Sequence, residues 1–164
     1  MAKKFYPPSA EIEINAPIEQ VWAVLLDGAK YPEWNRFIFS VDGDLQVPGV
    51  PIPMQVKLGK RTVRPSMNVV IVEPPEPARS GDRKARARWV HQYASLLARI
   101  GWLTSERHHE MEASENGYTT RYRTWEPFGG WLKWGVPYKQ IDAGFKAQAV
   151  QLKARVETLN AQGD

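Results

Sequence analysis

The side chains that could do chemistry in this sequence stand on a few short alternating runs in its second half. In the run 107–113, His109, Met111 and Ala113 share one face while Glu110 and Glu112 share the other. A buried, neutral imidazole at His109 could orient a carbonyl or act as acid or base. The alternative is a histidine satisfied by a neighbouring strand or by water. His91 has the inward parity of its own run, beside Trp89, and the same weighing applies to it. His108 falls on the outward side, where it is expected to be solvated. Tyr122 and Thr124 share the parity of Thr120 and Glu126, opposite Arg121 and Arg123. Tyr122 could present its hydroxyl to a ligand. Glu126 could stand near the end of a cavity, where a carboxylate needs a partner or a raised pKa, or it could hydrogen-bond a loop amide and serve the fold.

Other chemistries find no support. The chain has no cysteine, which removes disulfides, thiolate catalysis and cysteine-ligated metals. Three histidines on at most two faces, without HExxH spacing, do not make a metal site, and no metal or cofactor is expected. Neither a Ser-His-Asp set nor a carboxylate pair is visible. Lys57, Lys60, Arg61 and Arg64 bracket one turn, and Arg83, Lys84, Arg86 and Arg88 alternate along one strand. That is a solvated face rather than a nucleic-acid footprint. The net charge of +4 could favour an anionic ligand or a membrane surface. No secretion signal is readable in residues 1–8 and no run is long enough to span a bilayer, so a cytoplasmic location is expected. Trp131 and Trp134 lie one helical turn apart near Lys133 and Lys139. They are expected to pack under a helix start; transient membrane contact is the alternative.

The elements that must position these residues follow from hydropathy period. Glu11 to Ile14 alternates as a half-buried strand. Asn15 can then cap a helix and Pro17 suits its first turn. That helix spans 18–26 with Val21, Trp22, Val24 and Leu25 on its apolar side, and Gly28 ends it. A shorter helix covers 31–36. Strands follow at 37–41, 52–58, 67–72, 84–91, 107–113 and 118–125, the last two a hairpin around Asn116-Gly117. Finally Ile141, Phe145, Ala149, Leu152, Val156 and Leu159 recur every three or four residues, the mark of an amphipathic helix. With 164 residues and no linker, one domain over 1–164 is expected. Its polar-faced antiparallel sheet needs that helix as a cover. Small inward residues such as Ala85 and Ala87 would leave a cavity between the two if the sheet bends.

The run Ile12-Glu13-Ile14-Asn15-Ala16-Pro17-Ile18-Glu19-Gln20-Val21-Trp22 resembles the opening of the polyketide cyclase/dehydrase and lipid-transport branch of the START-like (SRPBCC) superfamily. Tyr31-Pro32-Glu33-Trp34-Asn35, His109 with Met111, Glu126-Pro127-Phe128-Gly129-Gly130, Gly144-Phe145 and Leu152 to Glu157 resemble later parts of it, in order. The likeness covers roughly residues 10–160. It implies an α+β helix-grip fold of the pollen-allergen type. A seven-stranded bent antiparallel sheet wraps a long C-terminal helix, with two short helices between the first and second strands. Two stretches depart from the pattern: the proline-rich 74–82 and the aromatic 128–138.

In such a fold Trp34, Trp89, Ile141 and Phe145 would contribute to the apolar wall of a pocket, with His109, Met111, Tyr122 and Glu126 as its other ligand-binding residues. Gly144 removes a side chain from the helix, which costs about 1 kcal/mol relative to alanine, so a ligand or a crossing strand should use the space. The resemblance implies a small hydrophobic ligand, bound by a carrier; antiparallel sheet edges allow a homodimer as well as a monomer. The alternative is an enzyme that promotes aldol closure or water loss on a poly-ketone chain with pocket His and Tyr.

Overall fold

The computed structural model describes residues 6–76 and 84–162. Arg83 and most of the proline-rich 74–82 departure lie outside the described residues, as do residues 1–5. The chain begins with β1 (Ser9–Ile14), α1 (Ile18–Leu26), a 3-10 turn (Gly28–Lys30) and α2 (Tyr31–Trp34). It continues through β2 (Ile38–Val41), β3 (Pro51–Leu58), β4 (Arg61–Val63), β5 (Ser66–Glu73), β6 (Arg86–Ala94), α3 (Leu96–Arg99) and β7 (Thr104–Ala113). After β8 (Thr120–Trp125), β9 (Phe128–Gly129) and a second 3-10 turn (Trp131–Gly135), it closes with α4 (Tyr138–Gln162). The seven principal strands are those expected from the alternation. The two-residue β9, the three-residue β4 and the one-turn α3 are too short to leave a period.

The sheet runs β1-β8-β7-β6-β5-β3-β2, and every pairing is antiparallel. Two bulges bend it. Val70 is the extra residue where Val69 faces His91 but Ile71 faces Val90, and Phe39 is the extra residue in β2. The curved sheet and α4 form an α+β helix-grip fold, with the core between them. Ile141, Phe145, Ala149, Leu152 and Val156 of α4 are buried in it, whereas Leu159, expected on the same stripe, is exposed.

Helix α4 also guards the free edge of β1. Ser9 N donates to Asp142 Oδ1, Asn15 N donates to Glu157 Oε1, and Lys153 Nζ donates to the Glu13 carbonyl. These side chains occupy backbone groups that a second strand would otherwise find. Asn15 is therefore committed to α4 and not to capping α1. The N-cap of α1 is Pro17, with no side-chain cap at all.

Gly144 is explained by a crossing segment rather than by a ligand. A Cβ there would lie 2.1 Å from the Phe37 ring. That ring, just before β2, packs edge-to-face on Phe145 with centroids 5.8 Å apart.

Candidate functional site

A cleft of about 410 Å³ opens between the sheet and the start of α4, within the ~300–1,000 Å³ range of small-molecule sites. Its apolar lining comes from the strands, among them Ile38, Met54, Val56 and Met67, and from the start of α4 through Ile141 and Phe145. The polar residues that reach it are Arg64 at the exposed rim and His91, Tyr93, Ser105, Arg107 and Glu126 deeper in. It lies at the C-terminal end of β6, away from Ala85 and Ala87, where the small inward residues had pointed.

The strand pleat assembles the floor. Cross-strand neighbours Trp89 and His109, His91 and Arg107, Met111 and Tyr122, and His109 and Thr124 all turn inward from β6, β7 and β8. His109 Nδ1 and the Tyr122 hydroxyl are 2.7 Å apart, and His109 Nε2 is 3.5 Å from His91 Nε2. Two tautomer arrangements satisfy this row. In one, Tyr122 donates to His109, which donates to His91. In the other, each bond runs the opposite way. Trp89 packs against both imidazoles at 4.8 and 4.7 Å and donates from Nε1 to the Leu45 carbonyl at 3.0 Å. Burial, and after it the charge of Arg107, holds His91 and His109 well below the usual histidine range, so both are neutral. Burial raises the Tyr122 phenol against the opposing pull of Arg107.

Arg107 is the unexpected member of the set. It is 2% exposed, stacks 3.7 Å over the Phe145 ring, and donates from Nε to Thr124 Oγ1 and from Nη2 to Gln148 Oε1 at 2.7 Å. Burial lowers its pKa, against the favourable fields of Tyr122, Glu126 and Tyr31. Glu126 lines the same cleft. Burial raises its carboxyl, opposed by the Ser105 hydroxyl and by Arg107.

Of the residues expected to bind ligand, Glu126, Ile141 and Phe145 line the cleft. Trp34, Trp89, His109, Met111 and Tyr122 are buried and do not line it. Trp34 stacks edge-on against Tyr31 at 5.1 Å, and its indole nitrogen has no hydrogen-bond partner among the described residues. His91, given less weight than His109 in the sequence, is the histidine that touches the cleft. Arg107 had the right signal, since it stands two residues before His109 on the same parity.

Two surface expectations change. His108 points outward but is not solvated: it lies flat on Trp125 at 4.7 Å, with Nε2 3.0 Å from Glu106. Trp131 and Trp134 do not pack under α4; they are 61% and 69% exposed. Trp102, itself half open, meets Trp131 edge-on at 5.2 Å, and Lys133 lies over Trp134. Gly130 makes this contact possible, since at φ +83° its missing Cβ would fall 2.3 Å from the Trp102 carbonyl. Among the described residues no helix is long and apolar enough to cross a membrane, and no three His, Asp or Glu side chains are grouped to hold a metal.

Residues 9–157 match the family model described as polyketide cyclase / dehydrase and lipid transport. A START superfamily protein of Mycobacterium smegmatis shares the fold with a TM-score of 0.63 at 14% identity, over 92% of this chain and 97% of that one. A protein of Thermus thermophilus does so at 0.62 and 14%, over 94% and 99%. The di-domain ARO/CYC BexL of the BE-7585A biosynthetic pathway matches at 0.56 and 14%, over 93% of this chain and 49% of its own. No match was found among curated proteins.

Proposed function

Since the chain belongs to the polyketide cyclase/dehydrase and lipid-transport family, we propose that it binds a small hydrophobic molecule in the cleft between sheet and α4. One observation carries this reading: a cleft of about 410 Å³ lined mainly by apolar side chains, with a few polar groups among them. Native mass spectrometry of the purified protein, followed by denaturing extraction, tests it. A stoichiometric lipid or aromatic compound is expected. An empty protein with no thermal shift across a panel of hydrophobic ligands would sink the idea.

A second reading is favoured by the row His91–His109–Tyr122. A neutral imidazole at the cleft, backed by a second imidazole and a phenol, can accept a proton from carbon α to a ligand carbonyl and return one to a departing hydroxyl. This is the chemistry of aldol closure and water loss. His91→Gln should then abolish turnover of an oxo-chain substrate while leaving its binding intact. Unchanged turnover would remove this reading and leave the carrier.

Ligand exchange at a membrane surface fits the carrier. Trp102, Trp131 and Trp134 are chain neighbours of the cleft-lining Leu103, Phe128 and Val136, and Lys133 stands among them. Exposed indoles beside a lysine suit the interface of an anionic bilayer. Co-sedimentation with phosphatidylserine vesicles should fall when Trp131 and Trp134 are both replaced by Ala.

A further inference from the structure

We propose that the cleft is built for a hydrophobic acid, with the ligand's carboxylate received by the guanidinium of Arg107. The proposal rests on the cleft being a ligand site and names what it holds.

Arg107 is fully charged at neutral pH, nearly completely buried, and borders the cleft. Its hydrogen-bond partners, Thr124 and Gln148, are themselves buried and carry no charge. No carboxylate forms an ion pair with it among the described residues. Guanidinium has five N–H donors in a planar fork, and Thr124 and Gln148 take two. A buried cation paired only with neutral groups is expensive to keep in a folded protein. It becomes favourable when a desolvated anion arrives in bidentate geometry.

The neighbours agree. His91 and His109 are neutral and add no competing charge. Glu126 is the one acid at the cleft among the described residues, and its hydrogen bond goes to Ser105 rather than to Arg107. Arg64 is the one other cation at the cleft among the described residues, and it is solvated at the rim. The Phe145 ring beneath Arg107 orients the fork. Apolar walls then take the ligand's body.

Two matched pairs of probes test this near neutral pH by calorimetry: decanoate against decanol, and naphthoate against naphthylmethanol. In the intact chain, the acid of at least one pair should bind about tenfold or more tightly than its alcohol, the effect of a charge-assisted contact. Arg107→Gln should erase that preference. Gln148→Glu, which supplies a built-in carboxylate to Nη2, should erase it too while alcohol binding persists. This second variant, with the intact chain, decides the matter if Arg107→Gln does not fold. Equal binding of acid and alcohol to the intact chain would overturn the acid subsite and leave the hydrophobic cleft standing. A preference that survives Gln148→Glu would also overturn it and point to Arg64. Binding of none of the four probes would overturn the cleft reading, and the acid subsite with it.

Discussion

Strands β6, β7 and β8 carry polar side chains on both faces, and water separates their fates. On the outer face Arg86 meets Glu112 at 3.1 Å, Arg121 meets Glu11 at 2.8 Å, and Gln92 meets Glu106 at 2.9 Å. These groups stay wet, and each pair is replaceable because solvent stands ready for either partner. On the inner face of the same strands stand His91, His109, Arg107, Tyr122 and Thr124, all buried. There each donor needs its own acceptor, and losing one strands the other. The pleat alone sorts one set from the other, so a shift of one residue in register would exchange them.

Four measurements would sharpen or break this contrast. The largest effect is expected inside: Trp89→Ala removes the ring that packs both imidazoles and should cost about 3–5 kcal/mol in urea denaturation. Second is pH. The folded chain keeps His91 and His109 neutral, while the unfolded chain protonates them below about pH 6.5. Stability is therefore full above that value and falls as pH drops through it, by about 1.4 kcal/mol per pH unit for each histidine. His91→Gln should halve the slope, and a flat profile between about pH 6.5 and 5 would contradict the neutral row. Third, Tyr122→Phe leaves His109 Nδ1 without its partner and should cost about 1–3 kcal/mol. Smallest is the outer face: Glu112→Gln should leave the denaturation midpoint where it was. A loss matching that of Tyr122→Phe would mean that the two faces are not so different.

The fold could be read because it is written in periods. Alternation marks seven strands, and the three-or-four repeat marks α4. The inward parity of His109, Tyr122 and Thr124 follows from the same rule. Arg107 obeys it too, but arginines seldom lie buried, and its partner Gln148 is 41 residues away on another element. Parity sets it apart from Arg121 and Arg123, but parity alone does not say that the charge has a buried partner. Which histidine borders the cleft is equally hidden, because parity places a side chain on a face but not along it. The exposure of Trp131 and Trp134 depends on where Gly130 turns the chain against Trp102, a contact that leaves no period.

The glycine at 144 gives the cleft a setting that the ligand never feels directly. A single methyl group there would overlap the Phe37 ring, and either that ring or α4 would have to move. Both border the cleft. Capacity can thus be retuned from behind the wall by one carbon atom, leaving every side chain that faces the guest chemically unchanged.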